Sequence, residues 1–155
     1  MQAPPERNRN ILTAPERYGN PGEIFLRALV TIISLAVADL ERSLAFYRDG
    51  MGLPTTGIAA PEHGGDHIAF AFDGGVSLVL YDRRKLAELG SSGATGGTIL
   101  TQPVEQREDV DAVLAQAHAA GGRRLGPPRS ESWGYSGYFA DPDGHIWEIV
   151  WLAEQ

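Results

Sequence analysis

The sequence predicts an α+β domain made of two β-α-β-β-β modules, and three observations carry that expectation. A strand, a helix and three further strand-like runs follow one another in the first half. The same order returns in the second half, and the two halves can be laid on a common register. At 155 residues, 43% hydrophobic and 21% charged, the chain has the length and composition of one globular domain holding both modules. The expected boundaries are an N-terminal arm over 1–27, a first module over 28–82, a short helix and glycine-rich linker over 83–97, and a second module over 98–152.

Each element has its own local reason. Ala28 to Val37 is a nearly continuous run of apolar and β-branched residues, too short to span a membrane, and fits a strand covered on both faces. Asp39 is a suitable N-cap for the helix that follows, in which Leu40, Leu44 and Tyr47 share one face and Gly50 with Gly52 supplies the stop. Three short strand candidates come next, near Thr55–Ala59, His67–Phe72 and Val76–Tyr81, the last two joined by Asp73-Gly74-Gly75. Arg83 to Gly90 reads as one or two helical turns, and the stretch from Ser91 to Gly97 has the composition of a flexible linker.

Thr98–Val104 then opens the second module. Val110, Val113, Leu114 and Ala117 form a helical stripe ended by Gly121, and a short strand run lies near Arg123–Leu125. A hairpin between Trp133 and Trp151 closes the module around Asp141-Pro142-Asp143-Gly144. Setting Val37 against Val104 pairs Ile32 with Ile99, while laying the two closing hairpins on each other pairs Glu148 with Leu78 or Val79.

Charge and composition exclude several classes of function. The net charge is −7, and basic residues cluster only at Arg83-Arg84-Lys85 and Arg123-Arg124, so a nucleic acid is not an expected partner. The absence of cysteine removes disulfides, thiolate nucleophiles and sulfur-ligated metals, and the cytoplasm is the default location. Pro4, Pro5, Pro15 and Pro21, set among charges, make the N-terminal arm neither a secretory signal nor an anchor, so no membrane is expected as a partner.

The chemistry concentrates on one acid. Glu148 is the sole charge inside the closing strand, between Ile146, Trp147, Ile149 and Val150, and such a carboxylate needs a reason. It is a candidate ligand-orienting acceptor or general base, set against the alternative of a purely structural pair. Trp147 and Trp151 fall on the opposite strand face and are expected to pack against a helix. His67 begins a strand and could face a cleft or the solvent, whereas His145, directly after Asp143-Gly144, reads as a turn residue. Trp133 and Tyr135 offer rings for stacking on a planar ligand, and Tyr81 offers a hydroxyl. The Asp141–Gly144 segment lacks the alternating oxygen ligands of a calcium loop, and no glycine cluster matches a phosphate or dinucleotide fingerprint.

The phrases VADLERSLAFYRDGMGLP at Val37–Pro54 and SGYFADPDGHIWEIVW at Ser136–Trp151, together with the paired modules, resemble the vicinal oxygen chelate superfamily. This is the group of glyoxalase I, bleomycin resistance proteins and extradiol dioxygenases, and the likeness spans Ala28 to Leu152. It implies two curved half-barrel sheets around a concave cleft, and a homodimer. It also implies a divalent-metal site, with His on the opening strands and Glu on the closing strands of the modules. Those positions here are Ile32, Leu78 or Val79, Ile99 and Glu148, so only Glu148 matches. No metal or other cofactor is therefore expected.

The function implied is binding of a small, partly apolar organic molecule of the kind bleomycin-resistance members hold. Glu148 would orient the molecule against Ile32, Ile99 and Leu78, with Tyr81, His67, Trp133 and Tyr135 as further lining. The alternatives are a metal-dependent glyoxalase-like lyase, isomerase or dioxygenase with a non-standard site, and a metal-free acid-base enzyme using Glu148.

Overall fold

Two helix-backed sheets share one aromatic core in the computed structural model, which describes residues 30–88 and 98–153. The N-terminal arm, with Ala28 and Leu29 of the first strand run, and the glycine-rich linker lie outside the described residues. The first sheet has the order β1-β3-β2, with β1 at Ile32–Val37, β2 at His67–Ala71 and β3 at Ser77–Asp82. Strand β1 runs parallel to β3, as a β-α-β crossover requires. The second sheet has the order β4-β8-β7-β5, from β4 (Ile99–Pro103), β5 (Arg123–Arg124), β7 (Gly134–Ala140) and β8 (Ile146–Leu152), with β6 (Arg129–Glu131) also paired to β7. Strand β4 is again parallel to β8, so the repeat expected from the sequence is present as a repeated topology.

The structure differs from expectation in three places. The run Thr55–Ala59 forms only an isolated bridge from Ile58 to Ile68, because Thr55 turns its hydroxyl onto the Ala69 carbonyl and Gly57 bends the chain at φ +99°. The first helix is α-helical only over α1 (Leu40–Leu44) and widens into a π-helix over Ala45–Gly50. Strand β6 has no counterpart in the sequence reading, because all of its residues are polar and exposed. The expected helical turns after β3 are present as α2 (Arg83–Glu88).

Caps hold the helices as the sequence suggests. The Asp39 carboxylate accepts from the Arg42 backbone N–H at 3.0 Å, and Gln106 with Asp109 forms a reciprocal capping box at the start of α3 (Arg107–Ala119). Helix α3 buries Val110, Leu114 and Ala117. It approaches β7 closely at Gly137, where an added Cβ would lie 2.5 Å from Leu114 Cδ1.

The core joins the modules through Tyr47. Its ring packs against Phe46 in the π-helix, Phe70 in the first sheet and Trp147 in the second. Phe139 stacks on Trp147 with ring centroids 6.2 Å apart. Both sheets thus turn the same face, the one carrying Leu35, Leu78, Leu80, Phe139, Trp147 and Ile149, into a single cluster. Their other faces take no part in it. Val79 and Val150 are buried as well but stand outside the cluster.

The Asp141–Gly144 turn ties this arrangement together. Asp141, 4% exposed, accepts from the Tyr47 hydroxyl at 2.6 Å and from the backbone N–H groups of Asp143 and His145. Asp143 accepts from the Ala38 N–H at 2.8 Å and from Arg42 at 3.0 Å. His145 places Nε2 2.7 Å from the Ala36 carbonyl oxygen of β1, a contact from the turn to the first sheet. No helix among the described residues is long and apolar enough to cross a membrane.

Candidate functional site

Glu148 sits on the outward face of the second sheet, half-buried, in the middle of β8. Strand register places Thr101 of β4 on one side of it and Tyr138 of β7 on the other, so that three adjacent strands present one residue each at the same level. Directly opposed residues on neighbouring strands share a face and come within side-chain contact. The Thr101 hydroxyl donates to Glu148 Oε2 at 2.9 Å, and the Tyr138 hydroxyl donates to Oε1 at 2.5 Å. That short bond raises the Tyr138 phenol above its ordinary value, helped by burial and by the carboxylate's charge; Ser136 and Arg129 pull it back in part. Each carboxylate oxygen keeps a further acceptor lone pair for a ligand.

The surroundings of this triad are apolar along the strands. Ile99 faces Ile146 one step before Thr101 and Glu148, and Val150 and Leu152 continue the same face of β8. Ile99 and Leu152 are 53% and 51% exposed. On the first sheet, the equivalent face carries Ile32, Ser34 and Ala36 of β1 beside Ser77, Val79 and Tyr81 of β3. Ile32 is 59% exposed. Tyr81 pairs with His67, their rings 5.3 Å apart, and His67 Nδ1 lies 3.1 Å from Asp66 Oδ1.

Three residues expected in the site stand elsewhere. Leu78 is fully buried in the shared core and opposes Ile33, so Val79, opposite Ser34, is the counterpart of Glu148. A one-residue slip reverses a strand face, and that settles the pair. Tyr135 opposes Trp151 on the helix side, where its hydroxyl donates to Asp111 of α3 at 3.0 Å and the Arg107 guanidinium lies 3.9 Å above its ring. Trp133 is 41% exposed in the turn between β6 and β7, beyond the far end of β8 and roughly 15 Å along the strand from Glu148. Trp147 faces the core, as expected.

Thr101 and Tyr138 are missing from the sequence reading. Stepping outward from the closing turn, Ala140 opposes Ile146, so Tyr138 opposes Glu148; the hairpin alone contained that signal. Thr101 follows Ile99 by two residues and needed only strand periodicity.

The four positions at which the resemblance implies metal ligands carry Ile32, Val79, Ile99 and Glu148. Three aliphatic side chains and one carboxylate do not fit a divalent cation, and both oxygens of that carboxylate already accept hydroxyl protons. No group of three or more His, Asp or Glu converges among the described residues. A separate concavity of about 90 Å³, lined by Tyr47, Met51, Val113, Gln116 and Trp147, lies on the helix side, so the sheet stands between it and Glu148.

Residues 29–149 match the family model described as Glyoxalase/Bleomycin resistance protein/Dioxygenase superfamily. Among solved structures, a glyoxalase-related enzyme from Fulvimarina pelagi is 32% identical over 80% of this chain and 88% of its own, with a TM-score of 0.70. TnmS3, an antibiotic binding protein from Streptomyces sp. CB03234, is 25% identical over 84% of this chain and all (100%) of its own, with a TM-score of 0.60. A lactoylglutathione lyase from Agrobacterium tumefaciens shares the fold at 23% identity, covering 80% of this chain and 93% of its own, with a TM-score of 0.61. None of the functionally curated proteins matches the sequence.

Proposed function

This chain belongs to the Glyoxalase/Bleomycin resistance protein/Dioxygenase superfamily, and from that premise we propose that its Glu148 face binds a small, partly apolar organic molecule without a metal ion. The observation that carries the reading is the Thr101–Glu148–Tyr138 triad, a fixed acceptor set in an apolar outward face with a donor set unsuited to a cation. Such a face suits a guest whose body lies on Ile99, Ile146 and Val150 and whose hydroxyl or amine donates to Glu148. The likeness to TnmS3, an antibiotic binding protein, supports the same reading.

In one chain Ala140, Ser136 and Val150 of this face are buried, whereas its edge residues Ile99 and Leu152 are exposed. The exposed Ile32 and Ile99 stand on β1 and β4, each at the end of its sheet. We assign the second half of the cleft to a partner copy, which would cover these residues and the open strand edges. Titration of phenols into isotope-labelled protein tests the binding reading. Backbone shifts gathered on β4, β7 and β8 are expected, and shifts confined to the helix-side concavity would overturn it. A stoichiometric divalent ion in the purified protein, lost with Glu148→Gln, would overturn the metal-free part.

The 32% identity to a glyoxalase-related enzyme favours one rival, an acid-base enzyme in which Glu148 accepts a proton from the bound molecule. Once a substrate is in hand, Glu148→Gln with retained fold abolishes turnover under this rival, and unchanged turnover ends it.

A further inference from the structure

Four arginines stand on the outer strands and neighbouring helix of the second sheet, and register divides them. Arg124 opposes Phe139 on the helix side, where its guanidinium comes within 4.0 Å of Asp111. Arg107 of α3 is engaged on that side too, by the Ser130 hydroxyl at 3.0 Å and the Tyr135 ring. Arg123 opposes Ala140, which opposes Ile146, and Arg129 opposes Ser136, which opposes Val150. Both therefore belong to the Glu148 face. They are exposed, and among the described residues neither enters an ion pair.

Arg129 already acts on the site, because its charge lowers the Tyr138 phenol against the pull of Glu148. It stands two strands from Glu148, a lateral distance of about 10 Å, and Ala140, Ser136 and Val150 lie between the arginines and the apolar wall. Glu131, opposite Gly134 and so level with Leu152, stands on the same face, and Arg123 and Arg129 are the cations of that face, set apart from Glu148 by β7.

Resting on the binding reading above, the geometry points to an amphipathic organic acid as the ligand class: an apolar, ring-sized body on the β4–β8 wall, a hydroxyl or amine donated to Glu148, and a carboxylate at the opposite end received by Arg129, with Arg123 as a second cation four residues further along β7. Guanidinium and carboxylate are matched in shape as well as charge, and a bidentate pair fixes the direction in which the molecule lies. Glu148 repels the acid group from its own end, so the two charges together select one orientation.

Calorimetric titration of the intact protein with matched acid and amide pairs, running from para-hydroxybenzoate to para-hydroxyphenylpropanoate, tests the assignment. The best acid is expected to bind about tenfold tighter than its amide, with the preference shrinking as salt is raised. Arg129→Gln should weaken the acid far more than the amide and so bring the two to equal affinity, and Glu148→Gln should weaken both. Equal binding of the pairs by the unmodified protein, or an acid preference that survives Arg129→Gln together with Arg123→Gln, overturns the proposal and leaves the binding reading standing. Absence of binding by every acid, amide and parent phenol overturns both.

Discussion

Glu148 takes its character from two hydroxyls rather than from deep burial. Replacing Tyr138 with Phe removes the shorter of its two hydrogen bonds, and affinity for any donor-bearing guest is expected to change while the sheet stays intact. The partner effect is measurable by absorbance: in Glu148→Gln the Tyr138 phenol should titrate closer to its ordinary value, because hydrogen bonding to the carboxylate is the main cause of its rise. An unchanged tyrosine titration would contradict the triad. Tyr47 offers a harsher test. Its hydroxyl donates to Asp141 and accepts from Trp147 Nε1, all in the core, so Tyr47→Phe leaves two buried groups short of a partner and should cost about 2–3 kcal/mol in urea unfolding. Glu148 was legible as the one acid in an apolar strand. Tyr135 belongs to the aromatic cluster of the loop in sequence, but the pleat assigns faces by parity, so position 135 falls on the helix side and Tyr138 meets Glu148.

At the scale of elements, the closing turn does more than reverse the chain. Asp143, with its side chain 1% exposed, joins the second module to the start of α1 through the Ala38 N–H and Arg42. Asp143→Ala removes these bonds from partners that water can reach and should lower stability by about 1–2 kcal/mol; a change below about 0.5 kcal/mol, the ordinary surface value, would contradict the role. The core also sets a pH limit. Burial and the Asp141 charge push the Tyr47 phenol well above its ordinary value, and Tyr138 is raised as well. Above about pH 10, tyrosines of the unfolded chain ionise while these two keep their protons. The folded state then binds more protons, and stability falls as pH rises. Urea midpoints should decline above that pH, less steeply in Tyr47→Phe, and a flat profile would count against the buried hydroxyl. The order of elements was readable because hydrophobic runs, caps and turn residues agreed with one another. The π-helix was not, since Leu40, Leu44 and Tyr47 fit an α-helical stripe and nothing local marks the widening.

At the scale of the whole molecule, repeated topology turns a sequence register into a spatial one. Ile32 and Ile99, matched only by counting from the valines ahead of each helix, occupy corresponding outward places on β1 and β4. The Leu78 or Val79 ambiguity was a matter of strand phase, and the pairing of Ser34 with Val79 resolves it. How the two modules pack was beyond sequence patterning, because a strand apolar on both faces does not say which face meets its own helix and which is turned away from it. Ile32→Asp with Ile99→Asp is expected to yield monomers in sedimentation, whereas a sedimentation pattern unaffected by both would contradict the shared cleft. The central claim, a metal-free binding face organised by Glu148, is tested most directly by calorimetric titration of para-hydroxyphenylacetate into chelator-treated protein. Binding heat that persists without metal and disappears in Glu148→Gln is the predicted result, and binding that returns only on adding a divalent ion would contradict it.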